Sequence, residues 1–134
     1  MLTPKDTEAT VFSYYPPLHK IAEYVKGHLA EQISLRTAAT VAGMEAKYFS
    51  AFFLLKTGVG FREWLLSLRI ARSKEMMRMR NDSLTSIADA VGFNDFRTFE
   101  RGFKRHTTMT PRAFKKSVAP RPVPPYHGVP QTSR

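Results

Sequence analysis

Apolar residues recur at every third or fourth position through most of this chain, and no stretch alternates strictly enough to need a strand. Leu18, Ile21, Ala22, Val25 and Leu29 share one helical face, with Pro17 near its start, where a missing N–H costs nothing. Ser34 is placed to cap a short helix through Leu35, Ala38, Ala39 and Ala42, and Gly43 stops it. A second helix, from about Glu45 to Lys56, halts at Gly58 and Gly60. A long helix then runs from about Phe61 to Met79. Asp82 or Ser83 caps the next, through Leu84, Ile87, Ala88 and Val91, which ends at Gly92. Asn94 or Asp95 caps a helix reaching His106, and Thr110-Pro111 opens a last short one with Ala113 and Phe114 apolar. The predicted fold class is all-α.

The same pattern divides the chain. Residues 1–16 read as a short, weakly structured arm, and residues 119–134, with five of the nine prolines and no helical period, read as a flexible tail. Between them lie a first unit at 17–60, a linker helix at 61–80 and a second unit at 81–118.

The two units share a plan. Leu35-x-x-Ala38-Ala39-x-x-x-Gly43 precedes a helix carrying Phe49 and Phe53, and Leu84-x-x-Ile87-Ala88-x-x-x-Gly92 precedes one carrying Phe99 and Phe103. Aligned on the glycines, the phenylalanines are offset by one residue. Each unit is a short helix, a glycine turn and a second helix, the helix-turn-helix plan. Ala39 and Ala88 are small where two helices approach closely, and the glycines permit the positive φ that ends the first helix. A joining helix of roughly 19 residues spans about 28 Å. Successive major-groove faces of B-DNA lie about 34 Å apart, so one chain could present both second helices to one side of a duplex.

The second helix of the second unit has two unlike faces. Phe99 and Phe103 point one way, and Arg97, Arg101 and Lys104 or Arg105 point another. Aromatic anchors on one side and a cationic row on the other suit a major groove, where arginines contact guanine edges or phosphates. The other reading of Arg97 and Arg101 is a solvated surface pair, with Arg101 bonded to Asp95 or Glu100. Phe96 is either core or a contact for a thymine methyl. Arg69, Arg72 and Arg78 on the linker either touch the DNA backbone or pair within the chain, for instance with Glu75. Met76, Met77 and Met79 read as core filler, as does Trp64.

Charge supports a polyanionic partner: 21 Lys+Arg stand against 11 Asp+Glu, a net +10. Residues 61–80 carry six basic and two acidic groups, and residues 81–118 seven and four, against five and three in 17–60. The absence of cysteine excludes disulfides, thiolate metal sites and cysteine nucleophiles. His19, His28, His106 and His127 show no metal-ligand spacing. No catalytic set and no phosphate-cradling loop is present, so no enzyme activity, metal or cofactor is expected. No signal peptide or membrane-spanning run appears, and the basic residues are spread over several helices rather than along one membrane-binding surface.

Together these motifs resemble the DNA-binding domain of the AraC/XylS family of bacterial transcription regulators, over about residues 17–118. The second unit carries Ile87-Ala88, Gly92-Phe93-x-Asp95-x-x-x-Phe99-x-Arg101-x-Phe103-Lys104-Arg105, Thr110-Pro111 and Phe114-Lys115. The linker carries Arg69-Ile70-x-x-Ser73-x-x-Met76-Met77, and the first unit Ala39, Gly43, Phe49, Phe53, Thr57-Gly58 and Phe61. The resemblance implies two homeodomain-like helix-turn-helix subdomains whose helices 45–56 and 95–106 enter successive major grooves. It implies base-facing Ala46, Lys47, Ser50 and Ala51 in the first unit and Phe96, Arg97, Thr98 and Arg101 in the second. Lys104, Arg105, Arg69 and Arg72 are the expected phosphate contacts.

The chain also departs from the family. Glu45 stands where the family often has Ser, Ala51 where it has Arg, Leu54 where it has Lys, and Thr108 where it has Gly. The first recognition helix thereby loses cations, and its Tyr48/Phe52/Leu55 side becomes an alternative protein-docking surface, for instance for RNA polymerase. The expected protein is a cytoplasmic, nucleoid-associated regulator, an activator that binds double-stranded DNA as a monomer. The sixteen-residue arm is too short for a small-molecule effector domain, which leaves a stand-alone regulator or a fragment of a larger one.

Overall fold

The computed structural model describes residues 10–118, and every regular element among them is helical. After a short helical segment at 10–14 these are, in chain order, α1 (Pro16–His28), α2 (Leu35–Ala42), α3 (Ala46–Thr57), α4 (Phe61–Met79), α5 (Leu84–Ala90), α6 (Phe96–Thr107) and α7 (Pro111–Val118). The caps fall where side-chain chemistry requires them. Ser34 accepts from the Thr37 amide, Ser83 from that of Ser86 and Asp95 from that of Thr98, each satisfying a donor that the first helical turn leaves unpaired. The expected tail, 119–134, lies outside the described residues.

Two cores form, one on each side of α4. The first gathers Leu18, Ile21, Val25, Ala38, Ala39, Phe49, Phe53, Phe61 and Trp64. The second gathers Ile70, Met76, Met77, Ile87, Ala88, Val91, Phe99 and Phe103. Ala39 and Ala88 are both buried, as close helix packing demands. Helix α4 contributes to both cores with different faces. Phe61, Trp64 and Leu65 are buried in its first half and Ile70, Ser73, Met76 and Met77 in its second. At 100° per residue the buried stripe turns by roughly 130° between the halves. Ser73 is accommodated because its hydroxyl donates to the Ile70 carbonyl at 2.7 Å.

Two expectations are corrected. Residues 10–14, expected in a weakly structured arm, are helical. The Phe12 ring stacks on Trp64 at 5.1 Å and meets Phe53 at 5.9 Å, so this segment closes the first core. Met79, expected as core filler, is 76% exposed, because α4 ends there and its side chain falls beyond the second core.

The repeat is tighter than glycine alignment suggests. Helices α3 and α6 are both 12 residues long and begin 50 positions apart. Thr57 and Thr107 make the same closing motif. Each hydroxyl donates to the carbonyl four residues back, of Phe53 and Phe103, and to that two residues on, of Val59 and Met109. The residue after each is left-handed: Gly58 at φ 81° and Thr108 at φ 66°.

Candidate nucleic-acid interface

Helix α6 is held on its inner side by Phe99 and Phe103, both fully buried. Their rings form an edge-to-face chain with Phe93, Phe96 and Phe114 at 5.2–5.7 Å. Gly102 lies against Leu66 of α4: a Cβ there would stand 3.1 Å from Leu66 Cδ1. Helix α6 therefore sits close on its support.

The outer side carries Arg97, Arg101 and Lys104, all exposed. Spaced by four and three residues, they form one row along the helix. None of the three makes an ion pair within 4 Å among the described residues. Arg101 is thus not bonded to Asp95 or Glu100. Its charge and, more strongly, the Thr98 amide and hydroxyl hold the Asp95 carboxyl below its ordinary pKa. The Thr98 hydroxyl donates to the second Asp95 oxygen at 3.1 Å, which ties this exposed residue to the cap. Phe96 is half-buried against the second core.

Arg105 points away from the row. Its guanidinium bonds Glu63 of α4 at 2.7 Å, and His106 Nε2 lies 3.1 Å from the other Glu63 oxygen. Arg72 pairs with Glu75, and Arg78 lies over the Phe114 ring at 5.4 Å. Arg69 departs furthest from its expected phosphate role. Its Nε donates to the Leu29 carbonyl at 3.2 Å and its Nη2 to that of Glu31 at 2.7 Å. Burial pushes its guanidinium below the ordinary value. Arg69, Arg72 and Arg105, all expected at phosphates, thus have internal partners within the chain.

Helix α3 presents Lys47, Ser50 and Ala51 to solvent, with Ala46 partly packed against the first core. Superposed on α6 by the 50-residue offset, Lys47 matches Arg97, Ala51 matches Arg101, Leu54 matches Lys104 and Leu55 matches Arg105. The outer face is otherwise apolar: Tyr48 is 67% exposed, Leu54 54% and Leu55 76%. Lys56 is drawn to one side, its ammonium 4.9 Å from the Tyr15 ring centre.

Sequence reasoning missed the contacts that tie the units together. Gln32 Nε2 donates to Asn94 Oδ1 at 2.7 Å, and Glu63 holds Arg105 and His106. Arg62 lines the same groove between the units, beside Asn94 and Arg105. The sign pattern of Glu63 against a basic α6 offered a hint, but a pairing of side chains more than forty residues apart has no local signature. Among the described residues no group of acidic or histidine side chains could hold a metal, and no helix is long and apolar enough to cross a membrane.

Two capped helix pairs joined by one shared helix, with a cationic row on the outer face of the last long helix, define a helix-turn-helix DNA-binding domain. A family profile described as a helix-turn-helix domain matches residues 38–117, and the chain belongs to the AraC-type helix-turn-helix transcription regulators. It is 30% identical over 95 residues to YobQ of Bacillus subtilis, an uncharacterized HTH-type transcriptional regulator, covering 71% of this chain and 39% of YobQ. It is 27% identical over 127 residues to the regulatory protein PocR of Salmonella typhimurium, covering 91% of this chain and 42% of PocR. The chain thus spans about two fifths of the length of each of these relatives. A Listeria innocua protein of unknown function superposes with a TM-score of 0.70 at 31% identity, covering 75% of this chain and 95% of that one. The DNA-binding domain of the global transcriptional factor AdpA, solved with a target DNA, superposes with a TM-score of 0.72 at 25% identity, covering 75% and 91%.

Proposed function

We propose that this chain regulates transcription by binding a specific double-stranded DNA site, with α3 and α6 in successive major grooves. The observation that carries the reading is the unpaired row of Arg97, Arg101 and Lys104 on a helix anchored by two buried phenylalanines. Arg97 and Arg101 read base edges, Lys104 grips phosphate, and Thr98 and Phe96 border the contact. Lys47, Ser50, Ala46 and Ala51 form the smaller, mostly neutral contact of the first unit, suited to thymine methyls. Since one chain carries both helices, a monomer covers both groove segments. The cytoplasm, at the nucleoid, is the matching location. Binding falls steeply with salt as counterions are released. Equal affinity for a selected site and a scrambled duplex in a gel shift at physiological salt would exclude this reading.

Phe52, expected on the protein-docking side with Tyr48 and Leu55, is half-buried against the first core, and the exposed Tyr48, Leu54 and Leu55 support a second reading for the first unit: contact with a protein such as RNA polymerase, as an activator would make. Retention of polymerase from nuclease-treated extract by the wild type, and its loss on Leu55→Glu, would separate this from DNA contact.

A further inference from the structure

The two hydrophobic cores share α4 but do not merge, so something besides core packing must fix how α3 and α6 are set relative to each other. On one side of α4 lies an open groove of about 510 Å³, lined by Val25 of α1 and Leu29 at its end and by Trp64, Leu68 and Arg72 of α4, which the second unit reaches through Ala90. It is not a close-packed interface. On the other side the units meet through polar contacts centred on Arg69. This side chain leaves the middle of α4 and holds the Leu29 and Glu31 carbonyls, just past the end of α1. The turn of the second unit closes over the same point. A Cβ on Gly92 would lie 2.5 Å from the Leu29 carbonyl oxygen and 2.8 Å from Arg69 Nε, so the glycine backbone is pressed against this arginine. Two residues on, Asn94 accepts from Gln32, and Asn94 adjoins the Asp95 cap of α6. The end of α1, the centre of α4 and the turn that precedes α6 thus converge on one guanidinium.

We propose that Arg69 is the positioning residue that sets the angle and separation of α3 and α6, and therefore the separation of the two half-sites the protein accepts. The DNA part of this rests on the DNA-binding reading above; the geometric part does not. A planar guanidinium donates to two carbonyls in fixed directions, which a lysine ammonium on a flexible stem does not reproduce. An orientation fixed in the free protein costs nothing to adopt on DNA, whereas a loose one must be ordered on binding and tolerates altered spacing.

The chain has no cysteine, so Ser50→Cys and Glu100→Cys, both exposed positions on α3 and α6, allow paired spin labels on the full chain. The wild-type background should give one narrow distance distribution, and Arg69→Lys and Arg69→Met should broaden or shift it. If Arg69→Met loses its helical signal, Gln32→Ala, which removes an exposed tie and touches neither core, takes its place beside Arg69→Lys. On duplexes whose half-sites are moved by one base pair, the wild type should lose about tenfold in affinity, as bending or twisting DNA to fit would require. Arg69→Lys should flatten that penalty while both half-sites remain bound. An unchanged distance distribution in the Arg69 variants overturns the assignment, as does an unchanged spacing penalty. A wild type with no preference among duplexes would count against the DNA reading, and the distance distribution would then decide the role of Arg69 by itself.

Discussion

Ala51 and Arg101 occupy the same place on two helices of equal length that begin 50 residues apart, and both face solvent. One unit therefore offers a methyl group where the other offers a guanidinium. The two helices share a scaffold and differ in what they present, so under the proposed DNA contact the second unit should carry more of the sequence discrimination. Arg101→Ala should remove about 1–3 kcal/mol of preference at a single base pair, read by binding to a set of single-substitution duplexes. Ala51→Arg should raise affinity and steepen the salt dependence by about one released ion.

Lys104 lies in the same row, with a point charge in place of a fork. Lys104→Ala should weaken binding to all duplexes alike and lower the salt slope by about one. A loss confined to one base position would instead assign Lys104 a base contact.

Glu63 of the linker holds two side chains of α6, the Arg105 guanidinium and the His106 ring. Exposed pairs of this kind are worth roughly 0–1 kcal/mol, so Glu63→Gln should shift the melting temperature little. It should increase affinity for DNA and the salt slope, because Arg105 is released and one negative charge is removed from the face. Unchanged affinity in a titration at low salt would show that Arg105 does not reach the duplex.

Asp95 caps α6 through the Thr98 amide, and these hydrogen bonds hold its pKa down. A depressed carboxylate stabilises the fold above its unfolded value of about 3.9, and the contribution is lost as pH falls through the lower folded value. Asp95→Ala should lower the melting temperature near neutral pH. The gap from wild type should close only under acid, which thermal melts across the range from neutral to strongly acidic would show.

Thr108 takes the left-handed conformation that Gly58 takes in the first unit. A β-branched residue is strained there, so Thr108→Gly should stabilise the domain by roughly 0.5–1 kcal/mol after the greater chain entropy of glycine is counted. Chemical denaturation of the two proteins would measure it. The strain was detectable in the sequence because Thr108 stands where the family usually has glycine.

The sequence made the helices legible because their ends carry chemistry: Ser34, Ser83 and Asp95 as caps, Gly43 and Gly58 as stops. The paired phenylalanines pointed to both cores. Arg69 and Arg105 were not legible in the same way. A basic residue on a helix looks alike whether it faces water, DNA or a carbonyl from another element, and the deciding partners, Leu29, Glu31 and Glu63, lie about forty positions away. Phe12 was hidden for a related reason: a segment of a few helical residues has little periodicity, and its burial depends on Trp64 being in place. The face of α4 was blurred because its buried stripe changes side halfway along.

That change of side constrains how the domain can evolve. One residue inserted near the centre of α4 would leave each core with its own half of the helix, yet turn one unit against the other by about 100° and advance it by about 1.5 Å. Both units would still fold, but α3 and α6 would lose the relative orientation that the proposed two-groove contact needs. Seven inserted residues would nearly restore the phase, about 20° short of two full turns, and would separate the units by about 10 Å more. Eleven would do as well, about 20° past three turns, so the length of α4 can vary with little loss of phase only by residue numbers close to whole turns, and under the proposed two-groove contact each such change would call for a DNA site of different span.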